Sequence, residues 1–395
     1  MADTPVVAIN GPRQSGKTTL AKAIAPDWRY LTLDDQTVQA AAASNPVAFV
    51  RELDRAVIDE IQRAPSLMLA LKKSIDEDRR PGRFLITGSA NVLTMPTAQE
   101  SLAGRIEIAT LLPLSQAELE GAMPDLLEAV FNSRPPRQPK LGATGDMLVR
   151  RVLAGGYPEA LSRLDENRRL AWCREYLNAI IQRDLTDIAP VQKPAQARRL
   201  IDALAIQVGQ LTNFVDLGGK LGLSNHTAGS YVGLLEQLFI VRRVEAWHRN
   251  ELKRLVKTPK LHFLDSGLVA ASRRLTLDKI KADRTLFGAL LEGFVFAELQ
   301  KLAALSDEQI SFFHYRDKDQ VEVDFVLENP AGDVVGVEVK ASATVTAADF
   351  RGLRKLASAA GDDFRAGILL YDGDEVLPFG DCLWAAPVSS LWADA

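Results

Sequence analysis

Eight residues near the amino terminus, Gly-Pro-Arg-Gln-Ser-Gly-Lys-Thr at positions 11–18, fit the pattern G-x-x-x-x-G-K-[ST]. An apolar run at 6–9 precedes them and the amphipathic segment TLAKAIA follows, as the strand and helix around a phosphate-binding loop should. Backbone N–H groups of such a loop surround phosphates, and the helix N-terminus adds positive potential. The pattern predicts ATP binding by Gly11, Pro12, Arg13, Gln14, Ser15, Gly16, Lys17, Thr18 and Thr19.

Two side chains of this loop and two carboxylates further on suggest hydrolysis as well as binding. Lys17 can reach the β- and γ-phosphates, and the Thr18 hydroxyl can ligate Mg²⁺. An apolar strand ends at Asp59 and Glu60, where the carboxyl ends of parallel strands open at a ligand crevice. Asp59 would hold Mg²⁺, and Glu60 would polarise the attacking water, which an ATPase needs and a small-molecule kinase does not. The alternative is a glycine-rich turn and two solvated acids.

A third apolar strand, starting at Arg83, finishes in small polar residues that could orient the water: Thr87, Ser89 and Asn91 all qualify. Ser89 is counted with the nucleotide-binding residues. Arg105 could contact the γ-phosphate of its own chain, or that of a neighbour in a homo-oligomer. It could equally form a surface ion pair.

Near the carboxyl end, a second group of residues could bind a metal. VEVDFVLE and VVGVEVKA are predicted strands that carry Asp324, Glu338 and Lys340. Side chains alternate along a strand, so Glu338 and Lys340 share a face. If Asp324 lies on that same face, the two carboxylates can share Mg²⁺, Lys340 can steady the attacking water, and Glu292 on the preceding helix can complete the metal shell. The alternative is a hairpin with solvated charges.

The elements between these groups are predicted to be mostly helical. The segment 131–145 is rich in Pro and Gly and is typical of a linker or exposed loop. Residues 146–210 have helical periodicity and are interpreted as a lid near the nucleotide. Arg183 could reach the phosphates from this lid, or lie on a helix surface beside Asp184.

Residues 211–245 predict a helix, a tight turn, a second helix capped by Ser224, and a strand, which together form a winged helix–turn–helix. The basic stretch 242–260 follows, and VRRVEAWHRNELKRLVKTPK holds seven Lys/Arg against two Glu. A surface of this kind suits DNA phosphates, but winged helices also bind proteins. The polar side chains of the second helix that could contact DNA are Asn225, His226, Thr227 and Ser230.

Composition sets limits on these interpretations. The chain has 395 residues, enough for several domains, and its net charge of −4 provides no overall attraction to nucleic acid. No run approaches the ~20 apolar residues that span a bilayer. The amino terminus lacks the pattern of a secretory signal. The sequence therefore predicts a cytoplasmic location and no membrane partner.

GPRQSGKTTL, VIDEIQRAP, LITGSAN and LAGRIEIATLLPLS, in this order and spacing, resemble the ATPase half of a family of bacterial and archaeal AAA+-like proteins. The resemblance continues through LAGGYPEAL, EYLNAIIQRDL and the carboxyl-terminal third. Glu292, Asp324, Glu338 and Lys340 match the pattern of the PD-(D/E)XK nuclease superfamily, which includes the archaeal Holliday-junction resolvases. The resemblance implies Mg²⁺-dependent cleavage of DNA or, since nuclease folds also persist as binding modules, an inactive remnant.

The predicted fold is α/β: a P-loop ATPase domain (1–125), a linker and helical lid (126–210), a winged helix (211–275) and a restriction-endonuclease-like domain (276–395). The predicted function is ATP hydrolysis, with Mg²⁺, that controls the action of the carboxyl-terminal half on DNA. The competing hypotheses are an ATP-dependent regulatory switch with an inactive nuclease-like domain and a small-molecule kinase.

Overall fold

The structure, a computed structural model, describes residues 1–88, 104–184, 194–212, 214–250, 254, 257–306 and 308–395. Its contacts divide the chain into two compact units. The first comprises 1–113 with 237–239, and the second comprises 114–236 with 240–395.

The first unit contains a parallel five-stranded sheet, which confirms the predicted α/β class. The strands are β1 (Val6–Asn10), β2 (Arg29–Thr32), β3 (Ala56–Asp59), β4 (Phe84–Gly88) and β5 (Ile106–Thr110), in the order β2-β3-β4-β1-β5. The inner strands are apolar and buried, as parallel strands covered on both faces must be. Because β4 lies between β1 and β3, its end adjoins both the phosphate-binding loop and Asp59.

Helices of this unit follow the strands. Local signals define their starts: Asp35 accepts hydrogen bonds from the Thr37 and Val38 N–H groups, and Pro46 stands at the first turn of its helix. The helices are Lys17–Ile24, Gln36–Ser44, Pro46–Arg51 and Leu67–Glu77.

The second unit contains an eight-stranded mixed sheet in the order β12-β13-β11-β10-β9-β8-β6-β7. Its strands are β6 (Val241–Ala246), β7 (Lys260–Phe263), β8 (Ser311–Arg316), β9 (Glu322–Glu328), β10 (Val334–Lys340), β11 (Phe364–Tyr371), β12 (Leu377–Gly380) and β13 (Leu383–Pro387). The β6–β7 hairpin, at the place of the predicted wing, joins the carboxyl-terminal strands through parallel pairing of β6 with β8. One sheet thus crosses the predicted boundary between 275 and 276.

Two of the helices beyond residue 114, Thr285–Ala304 and Arg351–Ala360, pack on strands of this sheet. The helices beyond residue 114 have the bounds Gln116–Glu120, Leu126–Phe131, Gly145–Ala154, Pro158–Leu161, Glu166–Ala179, Pro194–Ile206, Phe214–Leu221, Asn225–Gln237, Ser266–Arg273, Leu277–Ala282, Thr285–Ala304 and Arg351–Ala360, with a π-helical turn at Ile180–Asp184. Within the described ranges, no helix is both long and apolar enough to cross a bilayer.

The predicted linker at 131–145 is fastened to the second unit. Its Ser133 Oγ donates to the Arg365 carbonyl at 3.0 Å, and its Arg137 forms an ion pair with Asp125 at 2.9 Å. The segment is irregular because of its Pro and Gly content, but both of its ends belong to one compact unit.

Candidate functional site

The loop 11–16 has backbone angles that its residue types permit. Gly11 has φ 149°, and a Cβ there would overlap the carbonyl oxygen of Leu111. Gly16, at φ 102°, faces open space, since a Cβ built on it meets no atom within 4 Å. The side chain of Asn10 braces the loop start by accepting from the Gly11 N–H at 3.0 Å. Glycine is therefore required at 11 by contact and favoured at 16 by φ.

Lys17 and Ser15 are buried in this loop. The Lys17 Nζ donates to the carbonyl oxygens of Gly11 at 3.0 Å and Pro12 at 2.6 Å, so the ammonium is held against the loop. The Ser15 Oγ is buried without a hydrogen-bond partner in the described part of the chain. A buried hydroxyl, an ammonium and an open glycine fit the oxygens of a polyphosphate, which accept hydrogen bonds.

Three hydroxyl groups from three elements converge on Asp59. The Thr18 Oγ1 lies 3.0 Å from Oδ2 and 3.2 Å from Oδ1, the Tyr30 hydroxyl donates to Oδ2 at 2.6 Å, and Thr87 donates to Oδ1. Burial and then the hydrogen bond to Asp59 raise the pKa of Tyr30, so its hydroxyl remains a donor. Asp59 and Thr18, the two predicted Mg²⁺ ligands, are thus adjacent.

Glu60 follows Asp59 in a left-handed conformation, φ 59°, which is uncommon for a residue other than glycine. Its N–H donates to the Thr87 Oγ1 at 3.2 Å, and its carboxylate accepts from the Gln62 side chain. Thr87 therefore links the carboxylate of Asp59 to the backbone of Glu60. Thr87, one of the three polar residues predicted at the end of β4, therefore lies beside Asp59 and Glu60, and which of the three orients the water stays a prediction.

Thr87→Val is expected to reduce stability, because it keeps the shape of the side chain but removes both hydrogen bonds. The Glu60 N–H would lose its acceptor, and a buried polar group without a partner costs roughly 1–3 kcal/mol. The midpoint of urea unfolding should fall accordingly. Thr110→Val, on the exposed edge strand β5, is the matched control and should unfold close to wild type. Equal unfolding midpoints for the two variants would show that the two hydrogen bonds of Thr87 do not contribute to the free energy of unfolding.

The other residues predicted to contact the nucleotide or its water are Arg105, Ser89, Asn91 and Arg183. Arg105 forms an ion pair with Asp76 at 2.8 Å, the arrangement of the surface alternative, and its contact with a γ-phosphate stays a prediction. Ser89 and Asn91 lie outside the described residues, as does the side chain of Arg183.

The predicted carboxylates of the second unit come together around a lysine. Phe325 of β9 pairs with Val337 of β10, so Asp324 and Glu338 follow next along the ladder, on the same face. The Lys260 Nζ lies 3.5 Å from the Asp324 Oδ1 and 3.4 Å from the Glu292 Oε1. Lys260, on β7, is only 4% exposed.

Electrostatics at this carboxylate cluster (Glu292, Asp324 and Glu338) reflect burial and crowding. Burial, and then the Asp324 charge, raise the pKa of Glu292 to about 8 and the pKa of Glu338 well above its usual value. Burial likewise raises the pKa of Asp324. Burial lowers the pKa of Lys260, but the carboxylates of Glu292 and Asp324 outweigh it, and the net shift is upward. The cluster thus holds an ammonium ion and an excess of acidic groups.

Two neighbours shape the cluster further. His262 is fully buried, its Nε2 lies 3.8 Å from the Glu292 Oε1, and neither ring nitrogen has a hydrogen-bond partner in the described chain. Burial and then the Lys260 charge lower the pKa of His262 well below 6.5, which keeps the ring neutral. Gly209 leaves room for the Glu292 carboxylate, because a Cβ at 209 would lie 2.7 Å from Oε2.

Lys340, predicted to steady a water molecule, forms an ion pair with Asp349. Among the described residues, no three His, Cys, Asp or Glu side chains are grouped closely enough to hold a metal ion. The carboxylates predicted as ligands are neighbours, but Lys260 lies where they converge. In this arrangement the cluster does not fit a divalent cation.

Sequence reasoning missed Tyr30, Lys260, His262 and Asp349. The signal for two of them was present: KLHF alternates polar and apolar residues in a buried strand, which places Lys260 and His262 on one inward face. Such a face needs acidic partners. Tyr30 and Asp349 carry no comparable signal, because their contacts depend on strand order and loop path.

The predicted DNA surface has mixed features. The Ser224 Oγ accepts from the Thr227 N–H at 3.1 Å, as the predicted cap requires, and Asn225 and His226 are exposed. Much of the basic stretch, however, is neutralised internally, which leaves less positive charge for phosphates than its sequence suggests. Its ion pairs are Arg243–Glu236 at 2.5 Å, Arg249–Asp363 at 3.5 Å, Arg254–Glu328 at 2.8 Å and Lys260 with the carboxylate cluster.

Comparison with known families divides the chain into three matches. Residues 3–120 match an AAA domain, 145–279 match a domain of unknown function (DUF8612), and 287–391 match another domain of unknown function (DUF4143). The first match agrees with the loop geometry and supports a P-loop ATPase of AAA type in the amino-terminal part.

Two relatives cover nearly the whole chain. Uncharacterized proteins of Mycobacterium bovis and Mycobacterium tuberculosis are each 29% identical over 392 residues, 98% of this chain and 81% of theirs. An uncharacterized protein of Haemophilus influenzae is 26% identical over 289 residues, 69% of this chain and 66% of its own. A solved structure, the Walker-type ATPase of Pyrococcus abyssi, is 14% identical with a TM-score of 0.44, over 69% of this chain and 91% of that one.

Proposed function

We propose that the protein binds ATP and hydrolyses it with Mg²⁺ at the loop 11–18. The observation that carries the proposal is the convergence of the Thr18, Tyr30 and Thr87 hydroxyls on Asp59. Thr18 directly follows the buried Lys17 in the loop. A glycine-rich turn without function would not need a carboxylate bound by three hydroxyls from separate elements.

Each residue has a distinct task in this proposal. Lys17 supplies positive charge to the β- and γ-phosphates, and loop N–H groups bind their oxygens. Thr18 and Asp59 would hold Mg²⁺, which when bound neutralises phosphate charge. Glu60 accepts a proton from the attacking water, and its contact with Gln62 orients the carboxylate. A base of this kind favours hydrolysis over phosphoryl transfer to a metabolite.

The direct test is release of inorganic phosphate from ATP by the purified full chain, with Mg²⁺ and with EDTA. Turnover that requires Mg²⁺ supports the proposal. ATP binding without turnover would leave a nucleotide-controlled switch as the better description. Phosphate appearing on an added metabolite, with none released, would instead support the kinase.

We further propose that nucleotide state controls an action of the second unit on DNA. Its support is the helix pair Phe214–Leu221 and Asn225–Gln237, which exposes Asn225 and His226, and the acidic cluster on β9 and β10. Because Lys260 occupies that cluster, no metal-dependent cleavage step follows from this arrangement. Metal-dependent DNA cleavage would require Lys260 to leave the carboxylate cluster. A regulatory switch with an inactive nuclease-like domain would not require this movement.

Incubation with duplex, single-stranded and branched DNA, with Mg²⁺ or Mn²⁺ and with or without ATP, separates these alternatives. If the second unit is a nuclease, wild type should cut at least one substrate and Lys340→Ala should not. Exposed Lys318 provides the matched control, Lys318→Ala. Intact DNA under all conditions, with ATP turnover preserved, would support the switch.

A further inference from the structure

The carboxylate of Asp59 has one close hydroxyl donor for each of its oxygens. The Tyr30 hydroxyl donates to Oδ2 at 2.6 Å, and the Thr87 hydroxyl donates to Oδ1. The Thr18 hydroxyl contacts both oxygens, 3.0 Å from Oδ2 and 3.2 Å from Oδ1. Because O–H···O bonds are most often about 2.7–2.8 Å long and a hydroxyl carries one proton, the contact of Thr18 is the weakest of the three.

This arrangement leaves part of the Asp59 carboxylate for a cation. An ionised carboxylate can accept about four hydrogen bonds, and Tyr30 and Thr87 use one position on each oxygen. The other contacts are the two longer ones of Thr18, which is itself a predicted Mg²⁺ ligand. A cation, or a water molecule bound to it, could therefore replace the Thr18 contacts while Tyr30 and Thr87 keep theirs.

Tyr30 is held in place by contacts with two neighbouring elements. On β2 it pairs with Val57 of β3, two residues before Asp59. In addition, the Lys22 Nζ lies 4.1 Å from the centroid of the Tyr30 ring, and Lys22 stands one turn after Thr18 on the same helix. A cation over the face of an aromatic ring is attracted to it. These contacts position the Tyr30 hydroxyl relative to both the strand that carries Asp59 and the helix that carries Thr18.

We propose that Tyr30 is a positioning residue for the Mg²⁺ of the nucleotide site: its hydroxyl fixes the Asp59 carboxylate, so that oxygens of Asp59 and Thr18 are presented together to the ion. This inference rests on the proposed hydrolysis of ATP, and it assigns a role to a residue for which the sequence carried no signal. Tyr30 acts through Asp59 alone. Partners that orient a metal ligand typically account for about 10–100-fold in metal affinity.

The test is Mn²⁺ binding to the full chain with one equivalent of ADP, measured by electron paramagnetic resonance. Tyr30→Phe keeps the aromatic ring but removes the hydroxyl, and it is expected to weaken Mn²⁺ binding about 10–100-fold. Its affinity for ADP in EDTA should equal that of wild type, because Lys17 and the loop 11–16 are unchanged. A purely structural defect would instead lower both affinities.

Turnover provides a second readout. The Mg²⁺ concentration that gives half-maximal phosphate release from ATP should rise in Tyr30→Phe by about the same factor, and saturating Mg²⁺ should restore turnover close to the wild-type rate. Tyr371→Phe is the matched control, since it also removes one hydroxyl, which donates to the Glu375 carbonyl at 2.8 Å in the second unit. This control should bind Mn²⁺ like wild type.

The contrary outcomes are separable. Equal Mn²⁺ affinity in Tyr30→Phe and Tyr371→Phe would overturn the inference, as would a loss of Mn²⁺ affinity matched by an equal loss of ADP affinity in EDTA. Asp59→Asn distinguishes these results from failure of the proposed function. If Asp59→Asn bound Mn²⁺ like wild type, the proposed nucleotide site itself would fail. If Asp59→Asn lost Mn²⁺ binding and Tyr30→Phe did not, the nucleotide site would stand and only the role of Tyr30 would be refuted.

Discussion

Glu60→Gln should abolish most ATP turnover while leaving ATP bound. A positioned general base contributes typically 10²–10⁴-fold to a rate, so the turnover number is expected to fall about 10²–10⁴-fold. Binding should persist because the amide keeps the size of the carboxylate and can still accept from Gln62, while Lys17 and the loop are unchanged. Phosphate release and isothermal titration with ATP and Mg²⁺ measure the two effects separately.

Glu77→Gln is the matched control for this variant. Glu77 lies exposed at the end of the helix Leu67–Glu77, in the same unit, and its replacement removes the same charge. It should leave turnover at the wild-type level. If Glu60→Gln turned over ATP as fast as Glu77→Gln, the water would be activated by another group, and Glu60 would have only the structural role seen in its backbone contact with Thr87.

Lys17→Met should act on binding instead. The side chain is buried and its ammonium donates to the carbonyl oxygens of Gly11 and Pro12, which holds it at the loop. A hydrogen bond to a charged group contributes roughly 1.5–3 kcal/mol, and a tenfold change in affinity corresponds to about 1.4 kcal/mol. Loss of one or two such bonds to phosphates predicts ATP affinity reduced by about tenfold to more than a hundredfold, measurable by isothermal titration.

Lys73→Met provides the comparison, because Lys73 is exposed on the helix Leu67–Glu77 of the same unit. Its ATP affinity should equal that of wild type. Thermal unfolding of both variants without nucleotide shows whether the loop has lost its bracing. Wild-type affinity in a folded Lys17→Met protein would refute the assignment of 11–18 as the phosphate site.

The order of the carboxyl-terminal elements follows well from sequence patterns. Alternation of apolar residues predicts the strands that become β8, β9 and β10, and the apolar periodicity before them predicts the helix Thr285–Ala304. The turn between β9 and β10 makes their pairing local, and Asp324 and Glu338 come directly after its last pair, Phe325 with Val337. Local geometry therefore suffices for that part of the site.

The boundary between the predicted winged helix and the carboxyl-terminal domain is harder to predict from the sequence. Helix, turn, helix and hairpin between 214 and 263 have the pattern of a winged module, yet β6 pairs with β8 and the hairpin belongs to the larger sheet. Parallel pairing across more than sixty residues leaves no local mark, since either edge of a hairpin can accept another strand. Arg249, Arg254 and Lys260 of the basic stretch likewise form ion pairs with residues that are distant in sequence.

The phosphate-binding loop was determined by the sequence itself, because its backbone angles, its lysine and its hydroxyl all lie within eight consecutive residues. The acidic carboxyl end of β3, and the faces of β9 and β10 that carry Asp324 and Glu338, are likewise predictable, because strand periodicity is a local property of the sequence. Only the tertiary structure decided which side chains meet these groups: Tyr30 and Thr87 at Asp59, and Lys260 among Glu292 and Asp324. Periodicity specifies the face on which a side chain lies, whereas its neighbours across a sheet depend on the order of strands distant in the chain.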